Sequence, residues 1–387
     1  MAERALAHVE KIEWIRPIEG ADNIELIGVL GWICVAKKGE FNVGDMAVYI
    51  EIDSKCPETD ERFAFLANKK FKVKTMKLGK FKVISQGLAL PLSLFPELQD
   101  RNIGDDVTEA LKITYASEED AARKTNKIDP NAKYKSMAKR RPKLFANPIV
   151  RRIMRYSIGR KIMFLLFGRK KDNPTKFPDW IVKTDETRIE NAPFYLQSTE
   201  KWIKTEKCDG TSCTFAVDRL KKGKNKFDFI VCSRNVRQAD REQACYHESN
   251  IYWELADKYD IEKILTQFAT ENNYNRVVLQ GEGVGSVQGN PYKFTENKLF
   301  VFNLIIDGIR LGTVEMADFC KSHGLTSVPI IDTAYELPKT MEEMKLEADG
   351  YSELNPKVKR EGFVYRSIDG QQSFKNVSRE YLLKHNG

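Results

Sequence analysis

One lysine in this chain has neighbours suited to covalent chemistry on a phosphate. Lys207 lies in the run Thr205–Gly210, which reads TEKCDG. A lysine amine attacks phosphorus only when it is neutral, and its ordinary pKa is about 10.4. The site must therefore lower that pKa with positive neighbours or a metal ion. Asp209 can hold a hydrated metal ion, and Gly210 lets the backbone approach a bulky triphosphate.

The pattern Lys-x-Asp-Gly is short, and a polar β-turn in which Asp209 and Gly210 serve turn geometry explains it equally well. Further segments along the chain argue for the chemical interpretation, because chance explains one such segment more easily than six in one order. The other five segments are Ser233–Asn235 (SRN), Gly281–Gly283 (GEG), Phe300–Asn303 (FVFN), Glu361–Arg366 (EGFVYR) and Ser373–Lys375 (SFK).

In order and spacing, the six segments resemble motifs I, Ia, III, IIIa, IV and V of the covalent nucleotidyltransferases, which include RNA ligases, DNA ligases and mRNA capping enzymes. Gly20–Ile24, Gly44–Asp45 and Ser85–Leu88 look like the N-terminal OB domain of one RNA-ligase branch, the Deinococcus/Naegleria type. In that branch the OB domain precedes the nucleotidyltransferase domain, whereas DNA ligases and capping enzymes carry theirs after it. We expect no OB domain after Lys375, so the domain order favours the RNA-ligase branch.

The resemblance implies a role for each motif. Lys207 would attack the α-phosphorus of ATP, expel pyrophosphate and carry AMP as a phosphoramidate. Glu206 would accept a hydrogen bond from the adenine amino group, which favours ATP over GTP because guanine has a carbonyl there. Phe302 would stack on adenine, and Arg234 would contact the ribose or the RNA end. The alternatives are a surface glutamate at position 206 and a buried strand phenylalanine at position 302.

Carboxylates and a second lysine complete the implied site. Glu282 and Glu361 would converge with Asp209 and hold Mg²⁺ or Mn²⁺, largely through water. Each glutamate taken singly can equally be structural. Lys375 would place positive charge on the α-phosphate as the transition state forms.

The last motif departs from the family pattern. This motif often has two lysines separated by one residue, but Ser373 and Val377 occupy the positions two residues before and after Lys375. The departure leaves open whether one lysine fills both roles. Three other cations could compensate for the missing lysine: Lys293, Arg366 and Arg379.

Positive charge is also concentrated ahead of the motifs. The formal net charge is +8, and within Lys133–Lys183 basic residues greatly outnumber the two aspartates. Such density suits a phosphate backbone, although the solvated face of one or two amphipathic helices would look the same. Arg188 follows this segment. It could reach a substrate phosphate or an RNA 3′ end, or it could pair at the surface with Glu186 or Glu190.

Patterns of hydrophobic residues predict the elements that must position these side chains. Ile24–Lys38, Met46–Ile52 and Phe81–Pro91 predict short strands of a small closed barrel, since they are rich in Val, Ile and aromatics and turn residues separate them. Tyr252–Glu271 and Val314–His323 predict helices. Strands are predicted between and around them at Ser212–Val217, Phe227–Cys232, Arg276–Gly281, Lys298–Ile306 and Gly362–Tyr365.

These elements indicate an α+β protein with three parts. Residues 1–115 are predicted to form an all-β, OB-like barrel that binds nucleic acid. Residues 116–175 are predicted to form a polar and basic helical connection. Residues 176–387 are predicted to form a nucleotidyltransferase (adenylyltransferase) domain built on antiparallel sheets.

Composition narrows the class of protein. No uninterrupted apolar stretch approaches the roughly 18 residues that indicate a membrane span, and the first residues show no secretory pattern. The seven cysteines form no Cys-x-x-Cys pair and are odd in number, which disfavours a disulfide framework or a zinc site. We therefore expect an intracellular enzyme, cytoplasmic or nuclear, with no membrane association.

The resemblance implies an ATP-dependent RNA ligase that seals 3′-hydroxyl and 5′-phosphate ends or nicks through a lysine-AMP intermediate and an adenylylated 5′ end. It requires ATP and Mg²⁺ or Mn²⁺. The expected partner is RNA, or a nicked duplex with an RNA 3′-hydroxyl end, and we expect a monomer. Two alternatives are an mRNA capping guanylyltransferase and a catalytically inactive RNA-binding protein.

Overall fold

The computed structural model describes residues 5–116, 175–220, 226–238 and 250–385, together with residues 144, 147–154, 156, 159 and 163. The chain divides into two compact units, one made of residues 1–115 with 176–387 and the other of residues 116–175. In the second unit the described residues contain one α-helix, α1 (Pro148–Met154). The prediction that residues 116–175 form a polar and basic helical connection lies largely outside the described residues.

The described N-terminal part of the first unit, residues 5–115, consists of strands and short 3-10 helices. The 3-10 helices are Glu61–Lys69, Leu92–Leu94 and Pro96–Leu98. The strands are β1 (Ala7–Pro17), β2 (Ile24–Val29), β3 (Trp32–Lys37), β4 (Met46–Ile50), β5 (Ser54–Lys55), β6 (Lys72–Val73), β7 (Met76–Leu78), β8 (Val83–Ser85), β9 (Leu88–Pro91) and β10 (Thr114–Tyr115).

Strand β1 organises this N-terminal region because it pairs with two partners. Its first half is antiparallel to β4 and its second half to β2, and the pairing register shifts between Ile12 and Trp14. The five-stranded sheet has the order β3-β2-β1-β4-β9. A strand shared in this way bends the sheet toward closure. The sheet lies between two apolar clusters, one around Val9 and Phe63 and the other around Ile12 and Trp32.

The remainder of the first unit alternates strands with helices. The helices are α2 (Ile251–Lys258), α3 (Ile261–Glu271), α4 (Thr313–Ser322), α5 (Met341–Ala348) and α6 (Arg379–His385), with 3-10 helices at Ile189–Asn191 and Pro193–Gln197. The strands are β11 (Thr175–Lys176), β12 (Thr187–Arg188), β13 (Trp202–Glu206), β14 (Thr211–Arg219), β15 (Phe227–Cys232), β16 (Val236–Arg237), β17 (Arg276–Val284), β18 (Lys298–Ile306), β19 (Ile309–Arg310), β20 (Thr326–Ser327), β21 (Ile330–Tyr335), β22 (Gly362–Ser367) and β23 (Ser373–Val377).

Two sheets form the frame of this catalytic region, residues 176–385. The first contains, in order, β16-β15-β14-β17-β18-β19, with β20 parallel to β18. Side chains alternate along its strands, so Phe215 faces helices α2 and α3 while Ala216 faces the opposite cluster. The second sheet has the order β12-β23-β22-β13-β21 and rests on packed aromatics that include Trp202 and Phe374.

Several predicted elements are correct in kind but wrong in extent. The predicted strand Ile24–Lys38 is a hairpin of β2 and β3, and Phe81–Pro91 is divided between β8 and β9. The predicted helix Tyr252–Glu271 is two helices, because Asp260 has a left-handed backbone with φ of 49° and ends the first. Among the described residues, no helix is both long enough and apolar enough to span a membrane.

Candidate active site

Lys207 lies where the chain passes from one sheet to the other. It follows directly after β13 of the second sheet, and β14 of the first sheet begins at Thr211. All five residues of β13 are buried, so the strand fixes the start of the turn. The backbone N–H of Lys207 donates to the carbonyl of Gly362 at 3.0 Å, which ties the turn to β22. The nucleophile candidate therefore lies in a cleft that both sheets line.

Gly210 is needed here for a different reason from the one its sequence context suggests. A Cβ atom built on Gly210 would lie 2.4 Å from the carbonyl oxygen of Gly283 and 2.8 Å from Val284. Because that oxygen belongs to the backbone of β17, a side chain at position 210 would push the turn away from β17. Close contact between β17 and the turn thus explains the glycine without reference to a triphosphate.

Three predicted carboxylates meet around the Lys207 amine. Glu361 lies just ahead of β22 and its Oε1 is 2.7 Å from Lys207 Nζ. Glu282 on β17 and Asp209 in the turn also act on the ammonium electrostatically. Burial lowers the pKa of Lys207, but the charges of these carboxylates outweigh burial and raise it above its ordinary value. The neighbours that act on Lys207 are acids, so they do not lower its pKa, and the alternative that a metal ion lowers it stays a prediction.

Two of the carboxylates, Asp209 and Glu282, have raised pKa values, because burial and then nearby negative charge disfavour their ionised forms. Burial and then repulsion from Glu361 raise the pKa of Asp209 to about 7, although Lys207 and a hydrogen bond from Tyr381 act in the opposite direction. Burial likewise raises the pKa of Glu282 to about 8. In the part of the chain that the structure describes, no three His, Cys, Asp or Glu residues are grouped closely enough to ligate a metal directly. The predicted metal contact through water stays a prediction.

Two tyrosines that sequence reasoning missed hold Asp209. The backbone N–H of Asp209 donates to the hydroxyl oxygen of Tyr292 at 2.7 Å. The carboxylate of Asp209 accepts a hydrogen bond from the hydroxyl of Tyr381 on α6. Tyr381 and its neighbour Leu382 also pack in the apolar cluster around Ile12 of the N-terminal region. Neither tyrosine lies in a recognisable motif, so no local signal identified them.

Lys375 and Arg234 share one carboxylate that the sequence did not indicate. Lys375 on β23 is buried, and its Nζ is 2.7 Å from Asp185 Oδ1. Arg234 is exposed and lies 3.2 Å from the other oxygen of Asp185. Its guanidinium also lies 5.7 Å from the ring centre of Tyr115. Asp185 therefore holds two predicted phosphate-binding cations at one edge of the cleft.

Of the three cations suggested as replacements for a second motif lysine, Lys293 is exposed and the two arginines have other partners. Arg366 is buried, pairs with Glu186 at 3.1 Å and donates to the carbonyl of Phe302. Arg379 pairs with Glu342 at 3.0 Å. The described contacts therefore assign these two arginines to the frame of the site, and they leave Lys375 as the buried motif cation nearest the predicted role.

Phe302 and Glu206, the two residues predicted to contact adenine, lie in different surroundings. Phe302 is half-buried beside Cys208 and lies at a β-bulge, because Gln280 pairs with Asn303 and the next residue pairs with Val301. A bulge redirects the side chain of the extra residue, which suits a stacking surface. Glu206 is fully buried, and its carboxylate accepts hydrogen bonds from the Ser352 hydroxyl and, at 2.7 Å, from the Glu353 N–H. Its contact with adenine stays a prediction.

Arg188 does not lie at the surface, and its contact with a substrate phosphate or an RNA 3′ end stays a prediction. It is buried, and its guanidinium pairs at 2.9 Å with Asp53 of the N-terminal region. Its guanidinium also lies 5.8 Å from the ring centre of Trp32. The surface pairing with Glu186 or Glu190 is therefore wrong. Arg188 joins the N-terminal region to the catalytic region.

Comparisons with known families and solved structures follow the same division of the chain. A family model described as an OB-fold domain matches residues 6–92, and the RNA ligase family model matches residues 200–384. No curated protein matches the chain. These matches confirm the OB prediction for the N-terminal region.

Solved structures of an RNA ligase from Naegleria gruberi are similar over nearly the whole chain. A lysine-to-methionine variant with AMP and Mn is 32% identical, with a TM-score of 0.75 and 99% of each chain covered. The same ligase with pyrophosphate is 32% identical, with a TM-score of 0.74 and the same coverage. A lysine-to-alanine variant with ATP and Mn is 31% identical, with a TM-score of 0.74 over 98% of this chain and 99% of that one.

Proposed function

The chain belongs to the RNA ligase family, and we propose that it joins RNA ends in three nucleotidyl-transfer steps that begin on Lys207. It is an ATP-dependent RNA ligase that works through a covalent AMP intermediate. One observation supports Lys207 as the nucleophile. Its Nζ lies 2.7 Å from Glu361 and within the electrostatic influence of Glu282 and Asp209, so three separate motifs meet at this amine.

In the first step, the Nζ lone pair of Lys207 forms a bond to the α-phosphorus of ATP. The bond from that phosphorus to the bridging oxygen breaks, and pyrophosphate leaves with the electron pair. Lys207 must lose a proton to react. Because the carboxylates raise its pKa, the amine is protonated in the resting protein, and Glu361 Oε1 is within hydrogen-bond distance to accept that proton.

Asp209, Glu282 and Glu361 are the residues that we propose hold Mg²⁺ or Mn²⁺, through water. The fit rests on charge: burial and mutual repulsion raise the pKa values of Asp209 and Glu282, and a divalent cation relieves that repulsion. When bound, the cation supplies positive charge that lowers the pKa of Lys207 and offsets the charge of the phosphates.

Four further residues complete the nucleotide site that we propose, and each has a separate contact with the nucleotide or the RNA. We propose that phosphate oxygens take the place of Asp185 beside Lys375, which puts a buried ammonium against the α-phosphate as negative charge develops. Arg234 then contacts the ribose or the RNA end. Phe302 stacks on adenine, and Glu206 selects its amino group. The bulge at Phe302 supports the stacking role, because it turns the side chain out of the regular pleat.

In the second step, an oxygen of the RNA 5′-phosphate attacks the AMP phosphorus, and the bond to Lys207 breaks. In the third step, a 3′-hydroxyl attacks the activated 5′-phosphorus and AMP leaves. We propose a monomer acting on RNA ends or on a nicked duplex with an RNA 3′-hydroxyl, with residues 1–115 and 116–175 gripping nucleic acid and residues 176–387 doing the chemistry. An intracellular location is proposed because the six described cysteines are all free thiols.

The test uses ATP labelled at its α-phosphate, with Mg²⁺ or Mn²⁺ present. The wild-type protein should retain label through an acid-labile, base-stable bond. Lys207→Ala should retain none, and neither should Lys207→Arg, which keeps the positive charge but does not lose its proton. Lys263→Ala, a change at an exposed lysine, should label normally. Full labelling of Lys207→Arg would remove the proposed nucleophile, and preferential labelling by GTP would support the capping alternative.

A further inference from the structure

A lysine-rich stretch of the N-terminal region has no role in the site described above. Residues 69–82, which we call the lysine segment, read KKFKVKTMKLGKFK. The segment contains seven lysines and no acidic residue, and no acidic residue occurs between Glu61 and Glu97. The charge is therefore +7 within fourteen residues, in a chain whose formal net charge is +8. Such a concentration of one sign on a folded barrel calls for a physical reason.

Most of this charge faces solvent without a neutralising partner. Five of the seven lysines are exposed, and Lys72 and Lys74 are half-buried. Among the carboxylates that the structure describes, none forms an ion pair with a lysine of the segment. Arg62, just ahead of the segment, is different because it pairs with both Asp60 and Glu97 at 2.7 Å. Two of the acids nearest in sequence, Asp60 and Glu97, are thus already engaged by Arg62.

The lysines are held in place by regular backbone structure. Strands β7 and β8 pair antiparallel as a separate two-stranded sheet, with Lys77 opposite Ile84. At the turn, the N–H groups of Phe81 and Lys82 both donate to the carbonyl of Leu78, at 3.0 and 2.8 Å. Lys82 adopts a left-handed backbone with φ of 58°. The hairpin therefore presents its ammonium groups from a defined turn.

The hairpin is also anchored to the barrel. The hydroxyl oxygen of Ser85 accepts from the N–H of Val35 at 3.1 Å, and the N–H of Gln86 donates to the carbonyl of Ile33 at 2.8 Å. Both partners belong to β3, which begins at Trp32. Trp32 in turn donates to Asn191 of the catalytic region at 2.5 Å. One strand therefore fixes the lysine segment and also contacts the region that contains Lys207.

Lysines held close together repel one another, and binding to a partner of opposite charge removes that unfavourable electrostatic energy. We propose that the lysine segment binds the phosphate backbone of the RNA substrate, away from the ends that react. This inference rests on the proposed function, which supplies a polyanionic substrate. Lysine ammonium groups are point charges that contact phosphates without reading bases, so the contact is independent of sequence.

The experiment measures equilibrium binding of a fluorescent nicked RNA duplex that has a 5′-hydroxyl at the nick, so that no chemistry intervenes. The test variant combines Lys77→Gln, Lys80→Gln and Lys82→Gln, which remove the charge and keep a polar side chain one atom shorter. The matched control combines Lys263→Gln, Lys321→Gln and Lys357→Gln, three exposed lysines of the catalytic region. Affinity is measured over a tenfold range of salt concentration, and self-adenylylation of each protein is measured in parallel.

For the test variant, the slope of log affinity against log salt concentration should fall in magnitude by about 2 to 3, and affinity at low salt should fall at least about tenfold. The control should change neither, and self-adenylylation should stay within about twofold for all proteins, which also shows that they fold. An unchanged slope, or an equal loss in the control, overturns the proposal. So does loss of binding to anionic phosphatidylserine vesicles without loss of RNA binding, since the partner would then be a membrane surface. Failure of the proposed function appears separately, as absent labelling of Lys207 with the salt slopes as expected.

Discussion

Two buried cations near the contact between the N-terminal region and the catalytic region are each paired with one carboxylate, whereas the charges around Lys207 are not matched in this way. Lys345 lies 2.6 Å from Glu190, and Arg188 lies 2.9 Å from Asp53. At the site, one ammonium faces three carboxylates, of which Glu361 alone forms an ion pair with Lys207 among the described contacts. Paired buried charges fix a structure, whereas surplus charge of one sign creates a place for an ion of the other sign.

Contacts between the N-terminal region and the catalytic region adjoin the Lys345–Glu190 pair. The N–H of Gly31 donates to the carbonyl of Glu190 at 2.8 Å, and the side chain of Asn191 donates to Glu51. The Lys345 ammonium also donates to the carbonyl of Val377 at 2.7 Å, two residues beyond Lys375. Glu190 therefore links the contact with Gly31 to Lys345 and, through Lys345, to the strand that carries Lys375.

The largest expected effect comes from breaking a paired charge. Lys345→Met leaves the carboxylate of Glu190 buried without its cation, and the free energy of unfolding should fall by about 3 to 5 kcal/mol. Denaturant titration measures it. Lys359→Met, in the exposed pair between Lys359 and Glu380, should cost far less, because water screens the pair. Equal losses in the two variants would show that the buried pair has no special structural weight.

Removing one charge from the carboxylates around Lys207 should preserve the free energy of unfolding and lower the rate of self-adenylylation. Glu282→Gln relieves repulsion, so the free energy of unfolding should stay the same or rise. The rate of self-adenylylation should fall about 10²- to 10³-fold, because the site loses part of its electrostatic organisation. Glu262→Gln, at an exposed position on α3, is the matched control. A Glu282→Gln protein that unfolds as readily as Lys345→Met would contradict the distinction drawn between the two clusters.

The free energy of unfolding should depend on pH because of the contacts of His8 with Glu10 and Glu51. Burial lowers the pKa of His8, but hydrogen bonds and charge from Glu10 and Glu51 outweigh burial and raise it from 6.5 to about 9. A raised folded-state pKa gives stability that is complete below about pH 6.5 and is lost as the pH rises through 9. The loss should be on the order of 2 to 3 kcal/mol. Unfolding measured at several pH values should show it in the wild-type protein and not in His8→Gln.

The smallest expected effect concerns the tyrosine that reaches from the N-terminal core to the site. Tyr381→Phe keeps the ring in its apolar cluster and removes the hydroxyl that holds Asp209. We expect kcat for self-adenylylation to fall about tenfold, since a hydrogen bond to a charged group contributes about 1.5 kcal/mol, with KM for ATP unchanged. Tyr274→Phe is the control. A change in KM alone would mean that Tyr381 acts on nucleotide binding instead.

Sequence patterns predicted the strands best where burial alternates or is continuous. Lys298–Ile306 and Phe227–Cys232 match their predicted bounds, because both segments are rich in apolar residues. The motif order also identified Lys207 and the carboxylates that the structure brings to it. The break at Asp260 was missed because it depends on one backbone dihedral angle, which the helical hydrophobic pattern does not encode.

The residues that the sequence did not reveal act through contacts between distant parts of the chain. Arg188 finds Asp53 across 135 positions, and Lys375 finds Asp185 across 190. Tyr292 and Tyr381 reach Asp209 from an irregular segment and from the last helix. The bulge at Phe302 arises from pairing with β17. Spacing along one segment carries no information on such pairings, which tertiary packing decides.

We propose that surplus negative charge around Lys207 keeps its amine protonated until a cation joins the site. The most direct measurement is the titration of Lys207 Nζ by NMR in ¹³C-lysine-labelled protein, with and without Mg²⁺, using Lys207→Arg to assign its resonance. Without Mg²⁺ the pKa of Lys207 should lie above its ordinary value, because three carboxylates outweigh the effect of burial. It should fall when Mg²⁺ is added. A pKa below the ordinary value without the cation, or one that Mg²⁺ leaves unchanged, would contradict the account.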